Sequence, residues 1–363
     1  MNKEKDKRQS ALKVQDGIDQ PSSINPSLSK GLDKFKKSKT DVNELVNGIL
    51  KGDRSSLSRA ITIIESSLSS DKIIAREIIQ SCLPHSGKSI RIGVTGVPGV
   101  GKSTFIESFG NMLIKEGKKV AVLAIDPSSK RTKGSILGDK TRMESLSVND
   151  KAFIRPSASA GTLGGVARKT RETITLCEAA GFDIILVETV GVGQSEVAVA
   201  QIVDFFLLLM LAGSGDELQG IKRGIMEMAD MIMINKADGD NINKANLAKR
   251  EFENALHLFP ALKNQWIPKV TTASALMKNG IDNVWKTIAE YVELTKSNGH
   301  FDLKRSQQSG DILRDTLESS LMDDFYNTPG LKEKLDKIND KISKGLLNPY
   351  DAAEELLNIY RKS

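Results

Sequence analysis

Gly96-Val97-Pro98-Gly99-Val100-Gly101-Lys102-Ser103-Thr104 carries the pattern GxxxxGK[ST], and each residue type in it has a use against a polyphosphate. Glycines let backbone N–H groups close around a β-phosphate with no Cβ in the way. A helix starting at Lys102 adds the partial positive charge of its N-terminus. Lys102 supplies a full cation to the β- and γ-oxygens, and the Ser103 hydroxyl can ligate Mg2+. A glycine-rich turn without a ligand is the competing reading. A strand before the run and a helix after it are the context of a P-loop.

A phosphate cradle does not choose a base. Asn235-Lys236-Ala237-Asp238 does, because the Asp238 carboxylate can accept two hydrogen bonds from the N1–H and exocyclic amine of guanine. Adenine lacks that donor pair. The Asn235 amide can bridge the ring edge to the phosphate loop, and the Lys236 stem can cover the base face. Four letters are a weak match alone; behind a P-loop and at a strand end they select guanine. Ser274-Ala275-Leu276 sits where a second loop could present backbone N–H to the guanine oxygen, with an ordinary strand-to-helix turn as the competing reading.

Asp126 and Glu188 each stand at the end of a predicted strand, which delivers a carboxylate beside the phosphates. Either one alone reads equally as a solvated strand end; the pair behind a P-loop does not. Glu188-Thr189-Val190-Gly191 has the form of a DxxG switch with Glu in place of Asp. Gly191 allows its peptide to approach a γ-phosphate and to flip when that phosphate leaves. Where Ras-type GTPases have a water-positioning Gln after this glycine, this chain has Val192. Unaided hydrolysis is therefore expected to be slow, with the accelerating group supplied by a partner or a moving loop.

The elements that must position these groups alternate. Apolar strands are predicted at Ile90–Thr95, Val120–Ile125, Asp183–Val187, Asp204–Leu211, Met231–Ile234 and Lys269–Thr272. Helices are predicted at Lys102–Lys115, Arg168–Ala180, Asn241–Leu258 and Ile281–Thr295. Continuous apolar strands separated by helices mean an α/β fold, a P-loop NTPase with a mainly parallel sheet covered by helices on both faces. Helical additions flank it. Asp41, Asp53 and Asp71 can each start a helix before the sheet, and helices over Asp311–Asp324, Lys332–Lys344 and Pro349–Tyr360 follow it. The expected organisation is a basic mobile tail over 1–40, an N-terminal helical segment over 41–88, a GTPase domain over 89–298 and a C-terminal helical segment over 299–363.

The chain of 363 residues is 39% hydrophobic and 27% charged, with a net charge of +6. Residues 1–40 hold ten Lys/Arg against five Asp/Glu, so the rest is nearly neutral. A surface tracking nucleic acid is not expected. Cys82 and Cys177, with His85, His257 and His300, show neither metal-ligand spacing nor a disulfide framework. The longest apolar run, Phe205–Leu211, is too short for a bilayer, and the N-terminus has no signal-peptide core. A reducing cytoplasm without membrane contact is expected.

Longer strings resemble a known family. GVPGVGKST at Gly96, DPSS at Asp126, GSILGDKTRM from Gly134, RPSASAGTLGG from Arg155, ETVGVGQSEV from Glu188, GDELQGIKRGI from Gly215 and NKAD at Asn235 are similar to MeaB-type GTPases, also called ArgK, of the SIMIBI class. The resemblance covers roughly residues 41–360. It departs at Lys133, where the family usually has Gly, and at Ala212, where it has Pro. It implies a homodimeric GTP-hydrolysing chaperone that assists and protects an adenosylcobalamin-dependent acyl-CoA mutase, of the methylmalonyl-CoA mutase type, and gates cofactor loading. It further implies that Ser103, Asp126, Asp139 and Glu188 serve magnesium and its water shell. Lys222, in the segment Gly215–Ile225, would sense the nucleotide in a further switch, and the C-terminal helices would make dimer contacts. The competing functions are a P-loop kinase, against which Asn235–Asp238 speaks, and a nickel-delivery GTPase, against which the missing His/Cys cluster speaks.

Overall fold

Nearly uninterrupted apolar strands are stable only where helices cover both faces of the sheet. The computed structural model describes residues 41–66, 68–125, 143–156, 163–189, 195–213, 223–259 and 264–361, and it has this arrangement. Helices α1 (Val42–Leu50), α2 (Arg54–Glu65) and α3 (Ser69–Cys82) lead into β1 (Ile90–Gly96), α4 (Lys102–Lys115) and β2 (Val120–Ile125). Next come α5 (Glu144–Ser147), β3 (Ala152–Pro156), α6 (Leu163–Ala179), β4 (Ile184–Thr189), α7 (Ser195–Ala200) and β5 (Phe205–Leu211). Then follow α8 (Arg223–Met228), β6 (Met231–Asn235), α9 (Ile242–Leu256), β7 (Lys269–Thr272) and α10 (Ile281–Ser297). The chain ends in α11 (His300–Asn327), α12 (Leu331–Ser343) and α13 (Pro349–Tyr360). Among the described residues no helix is long and apolar enough to cross a membrane.

The strand order is β3-β2-β4-β1-β5-β6-β7, and every pairing is parallel. Alternate residues of each strand feed two cores. Ile92, Val94, Leu186, Leu207 and Met233 face one side with Phe105 and Phe109 of α4 and Tyr291 of α10. Ile185, Val187, Phe206, Leu208 and Ile232 face the other, with the apolar residues of α1, α2, α6 and α9. β1 lies between β4 and β5, so the carboxyl ends that carry the P-loop and Glu188 emerge side by side, with Val94 in register with Glu188. Ligands of such sheets bind at this carboxyl edge.

The opposite edge is closed by a repeated device. Asp183, Asp204 and Asp230 immediately precede β4, β5 and β6. Their carboxylates accept the backbone N–H of Lys119, Arg91 and Phe206, each at 2.8 Å. Each pins the start of its own strand to a neighbouring chain segment. Helix α11 crosses this edge. Arg305 forks onto Asp204 (2.9 and 2.7 Å) and reaches the Ser89 carbonyl at 2.6 Å, while Arg91 forks onto Glu178 (2.9 and 3.0 Å). Farther along, Asp315 pairs with Arg171 of α6 and Asp323 with Lys72 of α3.

Asp53 caps α2 as expected, accepting from Ser55 N at 3.3 Å and Ser56 N at 2.8 Å. Asp71 does not cap α3. That helix starts at Ser69, and Asp71 sits in its first turn, where a carboxylate complements the helix dipole. β3 was not foreseen. It is a short edge strand, broken in pattern by Arg155 and Pro156, and it pairs only with β2. Helix α11 is much longer than Asp311–Asp324, because Lys304, Arg305 and Gln308 face the sheet edge rather than water and hide its periodicity.

Candidate nucleotide site

β1 delivers the chain to the P-loop through Gly96, at φ 148°, and α4 begins after Gly101, at φ 96°. Space as well as torsion demands glycine at both. A Cβ on Gly96 would lie 2.4 Å from the Leu209 carbonyl oxygen, and one on Gly101 would lie 2.8 Å from Asn235 Nδ2. Between them the loop exposes Pro98 and Gly99, half-buries Val97 and buries Val100, and Thr104 is exposed on the first turn of α4.

Lys102 is buried. Its ammonium donates to the Gly96 carbonyl at 2.7 Å and to the Val97 carbonyl at 3.3 Å, curling back over the loop. Burial pulls its pKa below the usual lysine range, and the charges of Glu188 and Glu196 pull it back up. A triphosphate entering the loop replaces two neutral carbonyls by anionic acceptors, a stronger partner for a desolvated ammonium. Ser103 Oγ stands 3.4 Å from Glu188 Oε1, so the expected hydroxyl and carboxylate of the metal set are neighbours. Below them, the buried hydroxyls of Thr95 and Thr189 bond each other at 2.8 Å and join the root of the P-loop to the root of the ETVG turn.

The residues expected to read the base converge from two strand ends. Asn235 closes β6 and is buried; its Nδ2 donates to the Val100 carbonyl at 2.8 Å, and its Oδ1 accepts from Ala275 N at 3.1 Å. One amide thus ties the phosphate loop to the Ser274–Leu276 turn. Lys236 holds a left-handed backbone at φ 59°, and its Nζ donates to the Gly99 carbonyl at 2.9 Å, which stretches the stem from the NKAD turn to the P-loop. The buried Ser274 hydroxyl donates to Asp238 Oδ2 and accepts from Met277 N at 3.1 Å. Ala275 is buried and Leu276 exposed.

All the described members of the expected set therefore meet at one end of the sheet. Asp126, Asp139, Gly191 and Lys222 lie outside the described residues. Two contributors, and one helix cap made from α4, were not picked out from sequence. Glu196 acts on Lys102 although it stands inside the string ETVGVGQSEV, which supplied its signal. The Thr95–Thr189 pair left no signal, since threonine in a strand is ordinary. Glu107, on α4, accepts from Ser145 N at 2.9 Å and Leu146 N at 3.3 Å, and so caps α5, whose preceding residue Met143 offers no cap. Glu107→Ala should lower stability by about 1 kcal/mol, the usual worth of a helix cap, with Glu107→Gln keeping much of it. Urea unfolding of the three proteins checks this.

Residues 57–329 match the family described as "Methylmalonyl Co-A mutase-associated GTPase MeaB". The chain belongs to the MeaB family. Among its relatives, "GTPase ArgK" of Escherichia coli is 47% identical over 78% of this chain and 86% of its own length. "Methylmalonic aciduria type A homolog, mitochondrial" of Mus musculus is 44% identical over 88% of this chain and 80% of its own. A solved structure, described as a crystal structure of LAO/AO transport system kinase, is 36% identical. It covers 89% of this chain and 99% of its own, with a TM-score of 0.69. This member of the MeaB family is a GTPase, as its relatives' names and the family description agree. The word kinase belongs to the solved relative's name, and the family description and the name of the Escherichia coli relative do not favour it.

Proposed function

We propose that this chain is a magnesium-dependent, GTP-driven chaperone of an adenosylcobalamin-dependent acyl-CoA mutase of the methylmalonyl-CoA mutase type. In this reading it protects the enzyme and gates the loading of its cofactor. The observation that carries the reading is the Asn235 amide, which links Val100 of the phosphate loop to Ala275 of the base loop within a chain that matches the mutase-associated family. Base and phosphate are then read by one connected unit, as a nucleotide-driven switch requires.

Ser103 and Glu188 fit a magnesium site, since a hydroxyl and a carboxylate oxygen stand together beside Lys102. When bound, the ion neutralises charge on the β- and γ-phosphates. This chain's own part is to bind and orient. The P-loop amides cradle the β-phosphate, Lys102 meets the γ-oxygens, and Gly191 and Lys222 respond to the terminal phosphoryl group. Slow basal hydrolysis accords with Val192 at the place of a water-positioning glutamine, so turnover waits for the partner.

The working form we propose is a homodimer built on α11, α12 and α13. On α11, Leu313, Leu317 and Leu321 recur every four residues and are each more than half exposed, an apolar stripe opposite the face that meets Arg171 and Lys72. The proposed setting is the cytoplasm, where free buried thiols such as Cys82 and Cys177 are the ordinary state.

The test is capture from native cytosol by the full chain loaded with a non-hydrolysable GTP analogue or with GDP. Recovery of an acyl-CoA mutase subunit, with a difference between the two nucleotide states, is expected. Equal recovery in both states, or none, would refute the switch. Phosphate transfer from ATP to a protein or small molecule would instead favour the kinase reading.

A further inference from the structure

Ser108 lies on α4 beyond the GxxxxGK[ST] run, in a buried stretch with Phe105, Ile106 and Phe109. A serine inside a helix commonly returns its hydroxyl to the carbonyl four residues back. Ser108 instead donates across the molecule to the carbonyl of Ala275 at 2.6 Å. The N–H of the same residue donates to Asn235 Oδ1 at 3.1 Å. Ala275 is therefore held at both of its polar atoms, one by the strand that carries the NKAD turn and one by the phosphate-loop helix.

The consequence falls on the next residue. In a trans peptide the C=O and the following N–H point in opposite directions, and the described chain has no cis bond. Pulling the Ala275 carbonyl toward α4 turns the Leu276 N–H away from it. Among the described residues that N–H has no protein acceptor. It is a donor held in a fixed direction, one residue beyond Ala275 and two beyond Ser274, whose hydroxyl bonds Asp238.

We infer that Ser108 is a specificity-determining positioning residue, which by holding the Ala275 carbonyl aims the Leu276 N–H at the 6-oxo oxygen of the guanine base. The inference rests on the guanine reading of Asn235 to Asp238 and the Ser274–Leu276 turn. It divides the work of discrimination. Asp238 reads the N1–H and 2-amino side of the ring, and Leu276 reads the 6-oxo group. Adenine places an amino group at that position, so a fixed N–H meets a donor and the mismatch rejects it.

Three nucleotides separate the two readers. Inosine triphosphate keeps the 6-oxo group and N1–H and lacks the 2-amino group, whereas 2-aminopurine riboside triphosphate keeps the 2-amino group and lacks the 6-oxo group together with the N1–H, a loss that falls equally on wild type and variant. Equilibrium titration of the full-length wild type and Ser108→Ala with GTP and these two analogues is the experiment. Loss of aim on one hydrogen bond should weaken GTP and inosine triphosphate each by about tenfold, while the 2-aminopurine nucleotide keeps its wild-type affinity. Ser108→Cys retains the volume with a much weaker donor; the same pattern is expected of it, and it serves if the alanine variant does not fold. An equal loss for all three nucleotides would reduce Ser108 to a packing residue and overturn the inference, as would no loss at all. Wild type that binds ATP as well as GTP would instead bring down the guanine reading itself, an outcome visible before any variant is made.

Discussion

Asp238→Ala should weaken GTP binding by about 2–4 kcal/mol, or about 30- to 900-fold, and leave ATP binding where it was. The size follows from the proposed role of the side chain. In that reading its carboxylate accepts from two guanine donors, and one of its oxygens already takes the hydroxyl of the fully buried Ser274. Alanine removes both acceptors for the base and the acceptor of the Ser274 hydroxyl, which keeps only the Met277 N–H. ATP makes no use of the carboxylate and serves as the internal control. Asp238→Asn tests the same point differently. Its amide turns one acceptor into a donor, which should penalise GTP while favouring a xanthine nucleotide that carries oxygen at C2. Calorimetric titration with the three nucleotides checks both variants, and an unchanged GTP affinity in the alanine protein would reject the assignment.

The second large effect is on stability. Arg305→Ala should cost about 3–5 kcal/mol, the range for breaking a buried ion pair by removing one partner. Arg305 forks onto the buried Asp204 and also donates to the carbonyls of Gly87 and Ser89 at 2.6 Å each. With the guanidinium gone, Asp204 keeps the Arg91 N–H but loses its nearest cation, because Lys304 bonds its carbonyl rather than its carboxylate. Arg305→Lys should be intermediate, since an ammonium cannot reproduce the planar fork. Arg305→Ala combined with Asp204→Asn should recover part of the loss by removing the orphaned charge. Chemical unfolding of the three variants reads these differences. A loss under about 1 kcal/mol in Arg305→Ala would mean that the pair behaves as a solvent-screened surface contact. GTP affinity of the folded fraction should stay near wild type, because this network lies at the opposite edge of the sheet from the P-loop.

Much of the fold was legible because its signals are short in range. The strands β2, β5 and β6 are apolar runs with turn residues at their ends, and α4 starts at the lysine of the phosphate loop. β3 escaped because an edge strand needs only one partner and tolerates the arginine and proline that break its pattern. The first part of α11 escaped for a different reason. Lys304 and Arg305 have the composition of a solvated face, and only the neighbouring Asp204 turns that face inward.

The site divides the same way. A P-loop can be recognised in sequence because its donors sit on consecutive residues, and local torsions alone bring them round one phosphate. NKAD is local too, which is why the base could be named. Sequence by itself therefore determined the kind of ligand and the kind of fold. Tertiary structure decided which groups hold those motifs in place, Asn235 on Val100 and Ala275 and Ser108 on Ala275, and which fasten the frame around them, Glu107 on Ser145 and Arg305 on Asp204. These are side-chain hydrogen bonds between residues far apart in the chain, made by common polar side chains whose partners are set by how helices pack on a parallel sheet. A serine or glutamate carries no mark of its acceptor or donor; only the folded packing brings the two together.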